Sequence, residues 1–152
     1  MTITATSGTR TKKLYNQDFY LWIKTTAKLL REGKLESVDI ENLIEEIEAM
    51  GKKEKRSLRS NMIVLLMHLI KYRYQPERRS NSWLSTIFEH RDRIEVELEE
   101  SPSLQPYLEE IWSECYSKAR KKASLETGLP LSTFPESCPF SQAEVLDPEY
   151  LP

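Results

Sequence analysis

One stretch of the chain, VLLMHLIKYRYQPERRSNSW at residues 64–83, holds the residues best suited to chemistry. A histidine lies inside an apolar run, and basic and aromatic side chains alternate after it. A histidine can act as a general base or ligand when burial tunes its pKa, and cations interleaved with aromatic rings suit phosphate contacts and base stacking. The candidate ligand- or partner-binding residues are His68, Tyr72, Arg73, Tyr74, Arg78, Arg79 and Trp83.

The same residues have an ordinary structural interpretation. A histidine in an apolar helix is most often neutral and hydrogen-bonded within the core. Lys71 and Arg73 suit a helix C-terminus, where cations complement the helix dipole, and the aromatic rings can be buried with their polar tips exposed. We favour this interpretation: the stretch is first the end of a core helix with its exit loop, and only second a site.

Other catalytic arrangements find little support. Neither Cys115 nor Cys138 has an obviously activating neighbourhood, and the sequence contains no GxSxG elbow and no phosphate-binding glycine loop. With two histidines and no HExxH or Glu-x-x-His pair, we predict no metal site and no cofactor. One enzymatic hypothesis is kept, in which His68 works with glutamates of residues 45–48 projected from a separate helix.

The composition indicates a helical protein. Of 152 residues 39% are hydrophobic and 30% charged, and only four are glycine, which argues against a turn-rich β fold. The net charge of −2 gives no global attraction to nucleic acid or to an anionic membrane. Two cysteines without CxxC spacing are interpreted as free thiols, and no apolar run approaches the roughly 20 residues of a membrane span. We expect a cytoplasmic protein with no membrane partner.

Apolar residues recurring at three- and four-residue steps predict five principal helices. The apolar stripe that follows Asp39 stays in phase to about residue 74. A straight helix of that length, roughly 52 Å, would protrude from a compact domain with a radius of gyration of about 15 Å. We therefore expect a break or sharp bend near Gly51. The predicted helical regions are residues 16–31, two helices within 40–74, 80–101 and 103–127.

The two ends of the chain differ in character. Residues 1–13 are small and polar without the apolar region of a secretory signal, so we predict a disordered leader before one domain over residues 14–152. Residues 129–152 are rich in proline but carry spaced apolar side chains, and Ser141 to Glu144 is typical of a capping box. The predicted fold is all-α: a single-domain bundle of about five helices with a proline-rich C-terminal segment packed on it.

Five strings of the sequence, in order, resemble one protein family. They are YNQDFYLW at 15–22, DIENLIEEIEAMG at 39–51, LLMHLIKYRYQPERRSNSW at 65–83, SPSLQP at 101–106 and ETGLPLSTFPESCPF at 126–140. Together they resemble the mainly cyanobacterial family called domain of unknown function twenty-nine, over nearly the whole chain from Tyr15. The resemblance implies an all-helical cytoplasmic protein, and it implies no activity, substrate, cofactor or catalytic residue.

We interpret the chain as a non-enzymatic protein-interaction module whose partner is another protein or a further copy of itself. Helix patterning is abundant, and the acidic runs at 41–48 and 95–100 oppose basic runs at 52–59 and 118–122. Two alternatives stay open. One is a nucleic-acid-associated protein or nuclease using the basic and aromatic stretch 71–83, which we do not favour. The other is a small enzyme using His68 with carboxylates of the second helix.

Overall fold

The structure, a computed structural model, describes the backbone of residues 2–152 and the side chains of residues 8–152. The described residues form α-helices and 3-10 turns and contain no strand, so the predicted all-α fold class is confirmed. The helices are α1 (Thr2–Gln17), α2 (Phe19–Arg31), α3 (Ile40–Tyr74), α4 (Asn81–Glu100), α5 (Gln105–Thr127) and α6 (Gln142–Leu146). The 3-10 turns are Leu35–Ser37, Pro76–Arg78, Pro102–Leu104 and Leu131–Thr133.

The chain divides into two compact units, one ending at Lys52 and the other running from Lys53 to Pro152. We call them the N-terminal unit and the C-terminal unit. The first contains α1, α2 and the first part of α3, and the second contains the remainder of α3 with α4, α5 and α6. No helix of the described residues combines the length and the apolar character needed to cross a membrane.

The N-terminal unit begins with α1, where the sequence predicted a disordered leader over residues 1–13. Within α1, Thr11 is buried and donates a hydrogen bond of 3.0 Å to the carbonyl oxygen of Ser37. Lys12 lies 2.6 Å from a carboxylate oxygen of Glu41. The difference has a tertiary cause, because both partners lie far along the chain and a polar composition by itself does not reveal them.

Asp18 separates α1 from α2 and caps the start of α2. Its carboxylate accepts a hydrogen bond of 3.0 Å from the backbone N–H of Leu21, which satisfies one of the unpaired donors of the first turn. At the other end Gly33 has a φ of 72°, a conformation that glycine adopts without steric cost, and it follows the last turn of the helix. Residues adjacent to α2 in the sequence therefore determine where the helix begins and ends.

α3 is one helix from Ile40 to Tyr74, and the break expected near Gly51 is absent. Gly51 keeps a helical backbone and is not among the glycines with positive φ. Glycine inside a helix costs only about 1 kcal/mol relative to alanine, and the flanking lysine, glutamate and arginine residues are strong helix formers. The argument from length also assumed one compact body, whereas the chain has two compact units.

The C-terminal unit encloses one apolar core. α3, α4 and α5 contribute side chains that are almost inaccessible to solvent, among them Leu58, Met62, Leu65, Leu66, Leu69, Ile70, Ile87, Ile94, Leu108 and Cys115. The caps that position these helices include Ser80, whose hydroxyl accepts from the Trp83 N–H, and Gly128, which ends α5 with a φ of 72°. The apolar spacing read from the sequence thus matches the core of this unit.

The predicted packing of the proline-rich C-terminal segment is confirmed. Phe134, Phe140 and Val145 are buried in the same core. Arg120 Nε donates to the carbonyl oxygen of Phe134 at 3.0 Å, and the capping box of Ser141 with Glu144 forms at the start of α6. Main-chain hydrogen bonds and apolar anchors together hold the segment, although it contains only one short helix.

Candidate functional site

His68 lies on α3 in the C-terminal unit and is half-buried. Its Nδ1 is 2.9 Å from the carbonyl oxygen of Val64, one turn earlier on the same helix. Burial lowers the pKa of His68 from its ordinary value of 6.5, and the charge of Lys71 acts in the same direction. The hydrogen bond to Val64 opposes this change without overcoming it. A neutral histidine bonded to its own helix is the arrangement that the structural interpretation requires.

The glutamates expected to work with His68 lie on the same helix rather than on a separate one. Glu45, Glu46 and Glu48 belong to the first part of α3. Residues of one helix are neighbours at three- or four-residue spacing, and His68 stands many turns farther along. The enzymatic hypothesis required two packed helices, so its proposed pairing is absent because α3 is continuous. The described residues also contain no group of three or more His, Cys, Asp or Glu suited to a metal ion.

Lys71 is the buried cation of the basic and aromatic stretch. Its Nζ lies 2.7 Å from Oε2 of Glu126 and 4.6 Å from the centroid of the Trp83 ring. A buried ammonium group needs such compensation, because its transfer from water is costly unless it is paired. Trp83, at the start of α4, thus lies beside the ion pair of Lys71 with Glu126.

Arg79 and Tyr72 contact each other. Arg79 Nε donates a hydrogen bond of 2.7 Å to the carbonyl oxygen of Tyr72, and the guanidinium lies 4.2 Å from the centroid of the Tyr72 ring. The bond satisfies a carbonyl group in the last turn of α3, where the helix leaves its acceptors unpaired. Arg78 is exposed in the adjoining turn, Pro76–Arg78.

Arg73 and Tyr74 contact the C-terminal segment. The Arg73 guanidinium lies 5.6 Å from the Tyr74 ring centroid and 5.9 Å from that of Phe140. The Tyr74 ring meets the ring of Phe134 edge to face at 5.9 Å. The structure thus brings His68, Lys71 and Trp83 into one region of the C-terminal unit, and Arg73 and Tyr74 join α3 to the segment after α5. A nucleic-acid surface at this stretch stays an alternative that these contacts do not test.

A different site lies in the N-terminal unit, where α2 and the first part of α3 line an apolar groove of about 400 Å³. The residue at its floor, Trp22, is 2% exposed, while Ile47 is 58% and Met50 65% exposed. The groove is therefore open to solvent along apolar walls. The residues that line it are Phe19, Trp22, Ile23, Thr26, Ala27, Leu30, Leu43, Glu46, Ile47 and Met50.

The floor of the groove is fixed by Trp22. Its indole Nε1 donates a 3.3 Å hydrogen bond to Asp39 Oδ2, and the same oxygen accepts from Asn42 Nδ2 at 2.6 Å. The Tyr15 ring packs edge to face on Trp22 at 4.9 Å, and the Phe19 ring stacks on it at 5.8 Å. Three aromatic rings and a shared carboxylate hold the indole in one orientation, so the apolar floor is preformed.

The two helices that line the groove carry opposite charge. α2 has Lys24, Lys28 and Arg31 and no acidic residue. Residues 40–50 of α3 have four glutamates and no basic residue. One of these, Glu46, accepts a hydrogen bond from the Tyr15 hydroxyl, and this bond raises the pKa of Tyr15. Glu46 is the charged residue among those that line the groove, so the walls themselves are mainly apolar.

Sequence reasoning missed the groove because it assigned the stripes of both helices to a core. One signal was available at the start of α2, where residues 19–23 are consecutively apolar. Five such residues surround a helix of 3.6 residues per turn, so no single packing partner can cover them. An apolar stripe is enclosed only if other segments of the chain pack on it. Periodicity does not show whether such segments exist.

Comparison with known proteins places the chain in a family. The family model for domain of unknown function DUF29 matches residues 14–151. The chain belongs to the DUF29 family. The matched range includes every residue that lines the groove as well as the core of the C-terminal unit. No curated protein and no solved structure matches the chain. Because the DUF29 description assigns no activity, function has to be argued from the site itself.

Proposed function

We propose that this DUF29 protein is a non-enzymatic protein-interaction module that docks a helical partner in the groove of its N-terminal unit. The observation that carries the proposal is the set of large apolar side chains left exposed around a fixed tryptophan floor. Contiguous exposed apolar surface marks interaction sites, and a groove between two helices suits the apolar face of a further helix. Because the floor is preformed, docking costs little ordering of the site.

The state of the basic and aromatic stretch supports this choice over a nucleic-acid surface. Lys71 is paired with Glu126, and Arg79 is bonded to the Tyr72 carbonyl oxygen. At Lys71 and Arg79 a phosphate would compete with these contacts, whereas the groove offers exposed apolar walls. The affinity of a groove complex should therefore depend on apolar burial more than on counterion release.

The cysteines support a non-enzymatic role in the cytoplasm. Both thiols are free, as the sequence predicted, and free thiols suit a reducing compartment. Burial raises the pKa of Cys115 to about 11 and also raises the pKa of Cys138. The thiolate is the nucleophilic form, so neither cysteine is activated at neutral pH.

Site-specific photo-crosslinking in cells tests the proposal. A benzophenone amino acid is placed at Met50 in the groove or, as a control, at Leu125, which is 83% exposed on α5 in the C-terminal unit. We expect a protein adduct from Met50 and none from Leu125. Ile23→Glu, which puts a charge into the groove wall, should abolish the Met50 adduct. Equal adduct yields at the two positions, or a Met50 adduct insensitive to Ile23→Glu, would contradict the proposal.

A further inference from the structure

A small pocket lies in the C-terminal unit, between α4 and the end of the chain. Its volume is about 150 Å³. One wall is formed by residues of α4, and the other by Leu146 of α6 with Pro148 and Leu151 after it. Phe88 and Leu151 are exposed, so the pocket is open to solvent.

The pocket has an apolar end and a charged end. Its residues on α4 recur at steps of three and four, so they form one stripe along the helix. The first three of them, up to Phe88, are apolar, and the last three, from Arg91, are charged. A cavity of this volume holds an apolar body about the size of benzene. A ligand that fits the pocket therefore combines a small apolar group with a charged end.

Arg91 is the buried cation at the charged end. Its side chain is 6% exposed, and its Nε donates a hydrogen bond of 2.7 Å to the carbonyl oxygen of Val145. Its Nη2 is buried without a hydrogen-bond partner, and Arg91 forms no ion pair within the described part of the chain. Burial lowers the pKa of Arg91, and the charge of Asp147 opposes this change. A buried charge is costly unless it is paired, so this guanidinium can gain from an anion in the pocket.

Two carboxylates accompany Arg91 at the charged end. Asp92 and Glu95 also line the pocket, and both are exposed. Glu95 is one turn from Arg91, a spacing at which opposite charges often pair, yet the guanidinium is bonded to Val145 instead. A ligand with only a carboxylate would be repelled by the two acidic side chains. A ligand with only an ammonium group would leave the buried guanidinium without a counter-charge.

We propose that the pocket binds a free α-amino acid with an apolar side chain, such as leucine. The carboxylate of the ligand accepts hydrogen bonds from the Arg91 guanidinium, and its ammonium group pairs with Glu95. Its side chain packs on the apolar end of the pocket, against Phe88 and Leu151. Both charged groups of an α-amino acid are attached to one carbon, so they can reach two side chains that are one helical turn apart.

The ligand has to be a free amino acid rather than the end of a peptide. An amino acid within a peptide has lost at least one of the two charges, because a peptide bond consumes the ammonium group or the carboxylate. The site is independent of the proposed interaction role, since it shares no residue with the groove of the N-terminal unit.

Isothermal titration calorimetry of the full-length chain tests the proposal with three probes. L-leucine carries both charges, 4-methylpentanoate has the same carbon skeleton without the ammonium group, and 3-methylbutylamine lacks the carboxylate. We expect leucine to bind with a dissociation constant between about 1 μM and 1 mM, as suits a ligand of so few atoms. Each analogue should bind at least about 10-fold more weakly, because each lacks one charge-assisted contact.

Removing the two carboxylates from the pocket should exchange the preference between the probes. Asp92→Asn with Glu95→Gln should weaken leucine binding at least about 10-fold and should strengthen 4-methylpentanoate binding, because the repulsion is removed. Both positions are exposed, so the fold should persist. The matched control is Glu109→Gln with Glu110→Gln, which removes two exposed carboxylates from α5 and should leave both affinities unchanged.

Arg91→Gln tests the contact with the carboxylate. It should abolish leucine binding while circular dichroism shows a helical chain. If this variant unfolds, the pair of Asp92→Asn with Glu95→Gln decides the question by itself.

Three results would overturn the proposal. They are the absence of leucine binding to the wild type, equal affinities for leucine and 4-methylpentanoate, and an unchanged leucine affinity in the variant without the two carboxylates. None of these results bears on the adduct at Met50, so the amino-acid site and the proposed function can fail separately.

Discussion

Among the described side chains of the N-terminal unit, Trp22 and Val38 are the buried hydrophobic residues, whereas the C-terminal unit buries a cluster of twenty. The exposed large hydrophobic residues have the opposite distribution. Ten of those in the described part of the chain lie before Lys52 and six after it, although the N-terminal unit is about half as long. The C-terminal unit completes its own core, and the N-terminal unit leaves much of its apolar surface exposed.

The two units differ in buried apolar surface because they differ in length and in the segments that cover their helices. A short chain segment buries a smaller fraction of its surface than a long one, so its helices cannot be covered on every side. In the C-terminal unit the segment after α5 covers the helices with Phe134, Phe140 and Val145. The N-terminal unit has no comparable covering segment among its described residues, and its groove stays open. Apolar patterning therefore builds an enclosed core in one unit and leaves an exposed apolar groove in the other.

The largest expected effect comes from removing a buried ring of the C-terminal unit. Phe134→Ala should lower the free energy of unfolding by about 3–5 kcal/mol, because it removes a buried aromatic side chain and leaves a cavity. Met50→Ala, in the exposed wall of the groove, should cost less than about 1 kcal/mol at concentrations where the chain is monomeric. Urea unfolding followed by circular dichroism measures both. Equal losses for the two variants would show that the N-terminal unit has a core of its own.

A moderate gain is expected at the base of the groove. Thr26 is buried, and its hydroxyl has no hydrogen-bond partner. Thr26→Val keeps the shape and removes the unsatisfied group, so it should stabilise the N-terminal unit by about 1 kcal/mol. Fluorescence of Trp22, observed after Trp83→Phe and Trp112→Phe, reports the unfolding of this unit. The same protein with Thr26 retained is the control, and a lower unfolding midpoint for Thr26→Val would contradict the prediction.

A smaller gain is expected at Gly51, where α3 runs on without a break. A Cβ added there meets no atom within 4 Å, and the backbone is helical. Gly51→Ala should therefore raise the unfolding free energy by about 0.5–1 kcal/mol. Gly128→Ala is the contrasting variant, since its φ of 72° disfavours any side chain, and it should destabilise by about 1–2 kcal/mol. Loss of stability in Gly51→Ala would indicate that the helix bends there in solution.

The smallest expected effect concerns the pH dependence of stability at His68. Burial lowers the pKa of His68 from 6.5, so below that pH the unfolded chain takes up a proton at this residue more readily than the folded chain. Its contribution to stability is complete above pH 6.5 and is lost as the pH falls through and below that value. The unfolding free energy of His68→Gln should therefore depend less on pH between 5 and 7.5 than that of the wild type, measured by urea titration. An identical pH dependence of the two proteins would show that His68 is equally solvated in both states.

Helix boundaries were the features most directly predictable from the sequence. Ser80, Gly33 and Gly128 lie at the ends of the helices predicted over residues 80–101, 16–31 and 103–127, and the predicted capping box at Ser141 forms. Each is a local property that depends on a few adjacent residues. The groove was not predictable in the same way. The stripe of Ile40, Ile44, Ile47 and Met50 has the spacing of a core face, yet these side chains are exposed.

The sequence by itself determined that this chain is helical, where most of its helices end, and which apolar residues build the core of the C-terminal unit. Periodicity and capping are encoded over a few turns, so they can be read without knowledge of the fold. Only the tertiary structure decided that residues 40–74 form a single helix, that α1 replaces a disordered leader, and that one apolar stripe is enclosed while another is left open. Burial depends on which distant segments pack on the apolar face of a helix, and no local pattern contains that information.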